Sequence, residues 1–505
     1  LQFIKKNLNL YFVIIREVSM TAIFDALKPA LLWKHFAEIL KLPHCSGNEK
    51  PLGDYIISVA KSLALSWKRD KVGNVIVKKL ATPGHEGAVG VILQSHMDMV
   101  CEKNSDVEHD FSKDPIRAER RGDWIQAVGT TLGSDNGIGV AAALAALEDK
   151  SLVHGPLECL FTVDEETGLT GANKLQKGSL QGKKLLNLDS EEEGTFTIGC
   201  SGGGDSEVTL PLERKKRTLK EGYRLKLFGF RGGHSGLDIN QGRGNAIRLL
   251  ARLLYNAQEK FAIELVKLEG GNKRNAIPRE VWADLYIDRG AAKKLQAFFK
   301  GQFDGIKNEY KAVEKEASYS FVKIEGPSSM TDPLAAASQK TLLRLILSLP
   351  HGVITMHPDI AGLVETSTNL AISRCEKKTA QIICSSRSSV ATALKAIKDI
   401  VKATAELAGA RVAQPDGYPG WEPNLQSELL KKLTEVYTKT FDQAPIVKAV
   451  HAGLECGIIG EKFPGMDMIS FGPTIEHPHA PEERVQVGSV EKFWKFLTVC
   501  LQELA

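Results

Sequence analysis

The feature that most constrains the fold is a set of apolar runs that each stop on a possible metal ligand. VILQSHMD (91–98) ends in His96 and Asp98, two residues apart and therefore on one face of a strand. FTVDEETGL (161–169) passes from an apolar stretch straight onto Asp164, Glu165 and Glu166. LLNLDS (185–190) reaches Asp189, and MDMISFGPTIEHPHAPEE (466–483) follows its apolar run with His477 and His479. LGSDNGIG (132–139) sets Asp135 in a glycine-rich loop, ahead of NGIGVAAALAALED (136–149), which is apolar nearly all round and reads as a buried helix. Strand-like and helical segments alternate from about residue 32 to 200, the pattern of an α/β domain. In open sheets of that class, sites assemble at the carboxyl ends of the strands.

Each piece alone has an ordinary reading. His96-x-Asp98 makes a hydrogen-bonded pair, Asp135-Asn136-Gly137 a turn and helix cap, Asp189 with Glu191 to Glu193 a solvated acidic loop, and His477 and His479 loop residues. Their joint occurrence at five strand ends, with no Lys or Arg among them, favours a site. Crowding like charges also raises carboxylate pKa values unless a cation neutralises them.

Residues 206–410 change character. YRLKLFGF (223–230), EVWADLYID (280–288) and TAQIICSSR (379–387) read as strands, NAIRLLARLLYNAQ (245–258) as an amphipathic helix, and the charged stretch 292–315 as a solvated helix. The expected organisation is an α/β catalytic domain with a central, mostly parallel sheet, in two parts, 20–204 and 411–505. An inserted α+β lid or dimerisation domain spans 205–410. GCSGGGD (199–205) is expected to be a glycine-rich break. Residues 1–19 lack an initiator Met and are read as an upstream extension outside the fold, with Met20 a more natural start.

A net charge of +4 over 505 residues, with no basic cluster, argues against nucleic acid. No apolar run approaches the roughly 20 residues that span a bilayer. The eight Cys are scattered without a C-x-x-C pair, so neither a disulfide framework nor a zinc ribbon is expected. A reducing cytoplasm is the simplest setting, and any metal must be held by His and carboxylates. Neither glycine-rich segment binds nucleotides: GCSGGGD lacks G-x-G-x-x-G spacing, and GTTLGSDNGIG has no Lys-Ser/Thr.

Read together, His96-x-Asp98, Asp135-Asn136, Glu165-Glu166, Asp189 and His479 resemble the M20-type metallopeptidases. HMDMVCEKN, NLDSEEEG, GGHSG, RNAIPRE, YPGWEP, HAGLECG and GPTIEHPHAPEE extend the resemblance to the aminoacyl-histidine, carnosinase-like dipeptidases, from about residue 32 to the C-terminus. The resemblance implies two divalent cations, Zn²⁺ first and Mn²⁺ or Co²⁺ next, bridged by Asp135. His96 and Asp189 would complete one site, and Glu166 and His479 the other. It implies Glu165 as general base and Asp98 as the residue fixing the His96 tautomer. His234 would be an oxyanion donor to a partner subunit in a homodimer, Arg387 a clamp for the substrate carboxylate, and Asn275 a contact to the substrate backbone. The expected activity is hydrolysis of small unblocked dipeptides such as β-alanyl-histidine. An N-acyl-amino-acid deacylase of the same fold and a non-catalytic peptide-binding dimer are the alternatives.

Overall fold

The computed structural model describes residues 23–325 and 330–505, so the expected upstream extension lies outside the described residues. The chain forms two compact units. One comprises the described residues up to Gly199 with Pro423–Ala449 and Ile458–Ala505, the other Cys200–Glu422 with Val450–Gly457.

The first unit is built on an eight-stranded sheet. Its order is Ser66–Arg69, Val75–Lys79, Leu157–Thr162, Val91–His96, Lys184–Asn187, Asp467–Ser470, Thr195–Cys200 and Ile446–Val450. The four strands from Leu157–Thr162 to Asp467–Ser470 run parallel, and antiparallel pairings flank them. Val91–His96 and Leu157–Thr162 are buried along their whole length, which is why they read as unbroken apolar runs rather than alternating ones. The helix Ser134–Glu148 is buried from Ser134 to Leu147, as its all-round apolar sequence requires. Its backbone departs from helical geometry at Asp135 and Asn136. Phe196, Tyr437, Phe471 and Phe496 fill another part of this core with edge-on and stacked rings.

A second, four-stranded sheet in this unit is not apparent from the sequence pattern. It orders Ile475–Glu476, Arg484–Gln486, Trp124–Ala127 and Ala118–Arg121. Its first two strands pair antiparallel, so residues 477–483 are the loop of a hairpin and His479 is held between two anchored ends.

The second unit carries a nine-stranded sheet whose pairings are antiparallel. Its core joins Leu225, Leu227 and Leu285 from strands with Leu249, Leu250 and Leu253 from the helix Ala246–Gln258, which Asn245 caps by accepting from the Arg248 amide. The charged stretch after Ala291 is helical from Ala292 to Glu309, and Leu295, Phe299, Phe303 and Ile306 bury one stripe of it.

Two expectations are corrected. GCSGGGD is not a break: it runs through the ends of two strands, Thr195–Cys200 and Gly202–Pro211. Its glycines reflect close approach, because a Cβ on Gly202 would lie 2.5 Å from the Gly420 nitrogen and one on Gly203 would lie 2.6 Å from the Tyr418 ring. The cysteines are not all free either: Cys45 and Cys101 form a disulfide with Cα atoms 5.7 Å apart, while the other six remain thiols. Among the described residues, no helix is long and apolar enough to cross a membrane.

Candidate metal centre

The parallel strands bring their ligand-type ends together within the first unit. The buried His96 ring places Nε2 3.2 Å from Asp135 Oδ1 and 3.1 Å from Asp189 Oδ1. His479 Nε2 lies 3.1 Å from the other Asp135 oxygen, Oδ2, and 3.0 Å from Glu166 Oε1. Asp135 therefore offers one oxygen to each imidazole. His96, Asp135 and Asp189 form one group able to hold an ion, and Asp135, Glu166 and His479 another. His96, Glu165 and Glu166 also lie within mutual reach. Bonds of 2.0–2.1 Å at a tetrahedral Zn²⁺ put neighbouring ligand atoms about 3.3 Å apart, so the observed spacings fit such ions. No ion is needed to explain the fourth such group, Glu49, Asp98 and Asp164. Main-chain amides and hydroxyls hydrogen-bond its carboxylates.

The electrostatics point the same way. Burial alone would lower the His96 pKa, yet Asp189 and Asp135 hold it well above the ordinary value. Hydrogen bonds to Asp135 and Glu166 push His479 up to about 11. Burial pushes Asp189 up to about 6, with Asp135 and Glu166 adding to the rise against His96. Glu191 rises to about 8 through burial and the charges of Asp135 and Asp189. Without another cation, imidazolium protons balance these carboxylates. Metal ions would do so with both imidazoles neutral.

Local sequence explains the placement. Asn136 donates through Nδ2 to the Leu188 carbonyl at 2.9 Å and to the Asp189 carboxylate, tying the start of the helix to the end of a strand. That approach leaves no room at Gly139, where a Cβ would meet Asn136 Oδ1 at 2.1 Å and the Leu188 carbonyl at 2.7 Å. After Thr162 the chain turns through Asp164, at φ 53°, into the short helix Glu165–Gly168, whose two glutamates each bring a carboxylate oxygen within reach of His96. The Asp164 carboxylate is held in place, because the Thr167 and Thr170 hydroxyls donate to it.

Asp98 faces both the His96 ring and the turn that carries Glu165 and Glu166. The nearest acceptor to His96 Nδ1 is the Asp98 main-chain oxygen, at 3.0 Å, with the carboxylate 3.5 Å away. The carboxylate also accepts from the Glu165 amide (3.0 Å), the Glu166 amide (3.1 Å) and the Ser46 hydroxyl (2.7 Å). Burial would raise its pKa, but His96 and these donors hold it at about 2. The main chain and the carboxylate of Asp98 thus both face the imidazole, and the carboxylate also holds the Glu165-Glu166 turn.

His234, Arg387 and Asn275 lie in the second unit. His234 Nδ1 accepts from the Gly236 amide (3.2 Å) and the Leu237 amide (3.0 Å). Burial and then Arg387 lower its pKa to about 4, and the Arg387 guanidinium lies 3.5 Å from its Nε2. Arg387 is only 8 % exposed, donates to the Tyr418 hydroxyl at 2.8 Å, and has no carboxylate within ion-pair distance among the described residues. Asn275 is exposed, and its carbonyl accepts from the Ser235 amide. His451, from HAGLECG, also lies buried in this unit, with Nε2 2.7 Å from the Ser367 hydroxyl oxygen. Sequence reasoning gave no role to His451, Tyr418 or Glu483. Each belongs to a motif string, but only folding supplies its partner.

Comparison with known proteins bears on the family and the fold. The model of Peptidase family M20/M25/M40 matches residues 92–503. The cytosol non-specific dipeptidase of Escherichia coli is 40% identical over 479 residues, covering 95% of this chain and 98% of that protein. The crystal structure of aminoacylhistidine dipeptidase from Vibrio alginolyticus superposes with a TM-score of 0.87 at 39% identity, over 95% of this chain and 97% of that one. Aminopeptidase PepT from Bacillus cereus, at 15% identity and a TM-score of 0.55 over 95% of this chain and 99% of its own, shares the fold. The chain belongs to peptidase family M20/M25/M40.

Proposed function

We propose that this chain is a dinuclear metal-dependent dipeptidase acting on small unblocked dipeptides, of the aminoacyl-histidine type. The observation that carries the reading is Asp135 lying between His96 and His479, with Asp189 and Glu166 completing two donor sets. Imidazole and carboxylate donors suit Zn²⁺, with Mn²⁺ or Co²⁺ acceptable on ligand type. Bound there, divalent ions supply Lewis acidity that acidifies water and polarises a carbonyl. Glu165 removes a proton from the attacking water and returns it to the leaving amine. Asp98 steadies the turn from which Glu165 acts. His234 serves as a donor to the developing oxyanion, an interaction worth about 3–4 kcal/mol in comparable sites. Arg387 binds the substrate's free carboxylate and Asn275 its backbone. The dipeptidase names of two relatives at about 40% identity support the substrate class. A cytoplasmic setting, suggested by the cytosolic relative, and a homodimer complete the reading.

The test measures histidine release from β-alanyl-histidine, cleavage of α-dipeptides and cleavage of an N-acetylated amino acid, with and without chelator. Dipeptide cleavage abolished by chelator is the expected result. Cleavage of the N-acyl compound alone would assign a deacylase. Silence on every substrate with metal bound would favour a peptide-binding protein. Sedimentation of the same sample reads the oligomeric state.

A further inference from the structure

We propose that Glu483 is a positioning residue that shapes the Leu132–Asp135 loop, so that Asp135 presents one oxygen to each imidazole. The inference rests on the dinuclear reading above and goes beyond its ligand set. Glu483 is 2 % exposed, and no Lys, Arg or His pairs with it within ion-pair distance among the described residues. Four consecutive residues close around its carboxylate instead. Oε2 accepts from the Leu132 amide at 2.8 Å and the Gly133 amide at 3.1 Å. Oε1 accepts from the Ser134 amide at 2.7 Å, the Ser134 hydroxyl at 2.6 Å and the Asp135 amide at 3.3 Å.

Five donors on one buried carboxylate form a specific cradle, because N–H groups aimed at a common point favour a negatively charged acceptor of the right length. The same residue ends the hairpin loop that carries His479. Glu483 therefore ties together the Asp135 loop and the His479 loop, which are more than 340 residues apart in sequence. Gly133 fits this bend in two ways: its φ is 73°, and a Cβ there would meet Met99 Sδ at 2.8 Å. Glu483 touches neither the reacting atoms nor a metal position, so its influence passes through Asp135 and His479.

Glu483→Gln keeps the volume but turns one end of the acceptor into a donor facing amide protons. Ser134→Ala removes a single hydroxyl bond. Two readouts test the proposal. In chelated protein, amide hydrogen exchange at residues 132–135 should accelerate at least tenfold in Glu483→Gln and remain at wild-type rates elsewhere. In equilibrium dialysis with Zn²⁺, affinity should fall about 10- to 100-fold, with kcat reduced and KM for the dipeptide unchanged. Ser134→Ala should shift both readouts the same way by a smaller factor, and it serves if Glu483→Gln does not fold. Unchanged exchange at 132–135 would overturn the proposal, as would Zn²⁺ affinity within twofold of wild type. Absence of Zn²⁺ binding by the wild-type chain would sink the dinuclear reading, while the exchange experiment would still decide the role of Glu483.

Discussion

Glu165 and Glu166 are neighbours in sequence with different surroundings, and single substitutions should separate their roles. Glu166 lies 3.0 Å from His479, so Glu166→Gln should release metal. Glu165→Gln should keep both ions and lower kcat by about 10²–10⁴, the usual worth of a positioned general base. Elemental analysis beside steady-state rates distinguishes the two, and metal loss from Glu165→Gln would reassign it as a ligand. Arg387 makes a second residue-scale claim. If its guanidinium binds the substrate carboxylate, Arg387→Ala should weaken dipeptide binding by about 1.5–3 kcal/mol, the worth of a hydrogen bond to a charged group. It should leave binding of the corresponding C-terminal amide nearly unchanged. Competition measurements with both ligands give the comparison.

At the scale of elements, the parallel strands were readable because a strand buried on both faces must be apolar throughout and can change character only where it leaves the sheet. His96, Glu166 and Asp189 announce themselves at those exits. Asp135 was readable from the glycines around it, two of which make room for close neighbours. Partners supplied by distant loops were not readable. Glu483 looks like Glu482 in sequence, and only the hairpin aims it at the Leu132–Asp135 amides. The threonines that bind Asp164, and the Tyr418 ring that calls for glycine at 203, are likewise matters of tertiary approach. The Cys45–Cys101 bond belongs here too, because no spacing rule pairs cysteines 56 residues apart. It joins the segment carrying Ser46 to the segment after Asp98, the two partners of a 2.7 Å hydrogen bond. Closing a loop of that length restricts the unfolded chain by about 4 kcal/mol on the entropy model. Urea denaturation should therefore show a loss of that order when the protein is reduced. Cys45→Ser should lose as much under oxidising conditions and gain no further sensitivity to reductant. Equal stability of oxidised and reduced wild type would show that the bond contributes nothing.

At the scale of the whole molecule, the two units have separate cores. All five ligand candidates lie in the first unit, so metal should stabilise that unit alone, by about 4 kcal/mol for each ion when free metal exceeds that ion's Kd a thousandfold. Calorimetry should then show one transition that rises with metal and one that does not. The second unit has its own pH signature. Burial and then Arg248 lower His351 to about 3, and its Nδ1 faces two donors, the Leu370 amide and Asn245 Nδ2, each at 3.4 Å. Burial, Arg387 and His234 lower His451 to about 3, and burial with Arg387 lowers His234 to about 4. In each case the folded pKa lies below the unfolded value of about 6.5. The unfolded chain therefore binds more protons across the interval, and folding stability falls as pH drops from about 6.5 toward 3. Each group contributes at most about 1.4 kcal/mol per pH unit. The metal-insensitive transition of chelated protein should thus move to lower temperature between pH 7 and pH 5, and His351→Asn should shift less over that range. A variant that tracks the wild type at every pH would mean that His351 titrates alike in both states, and would remove it from the account.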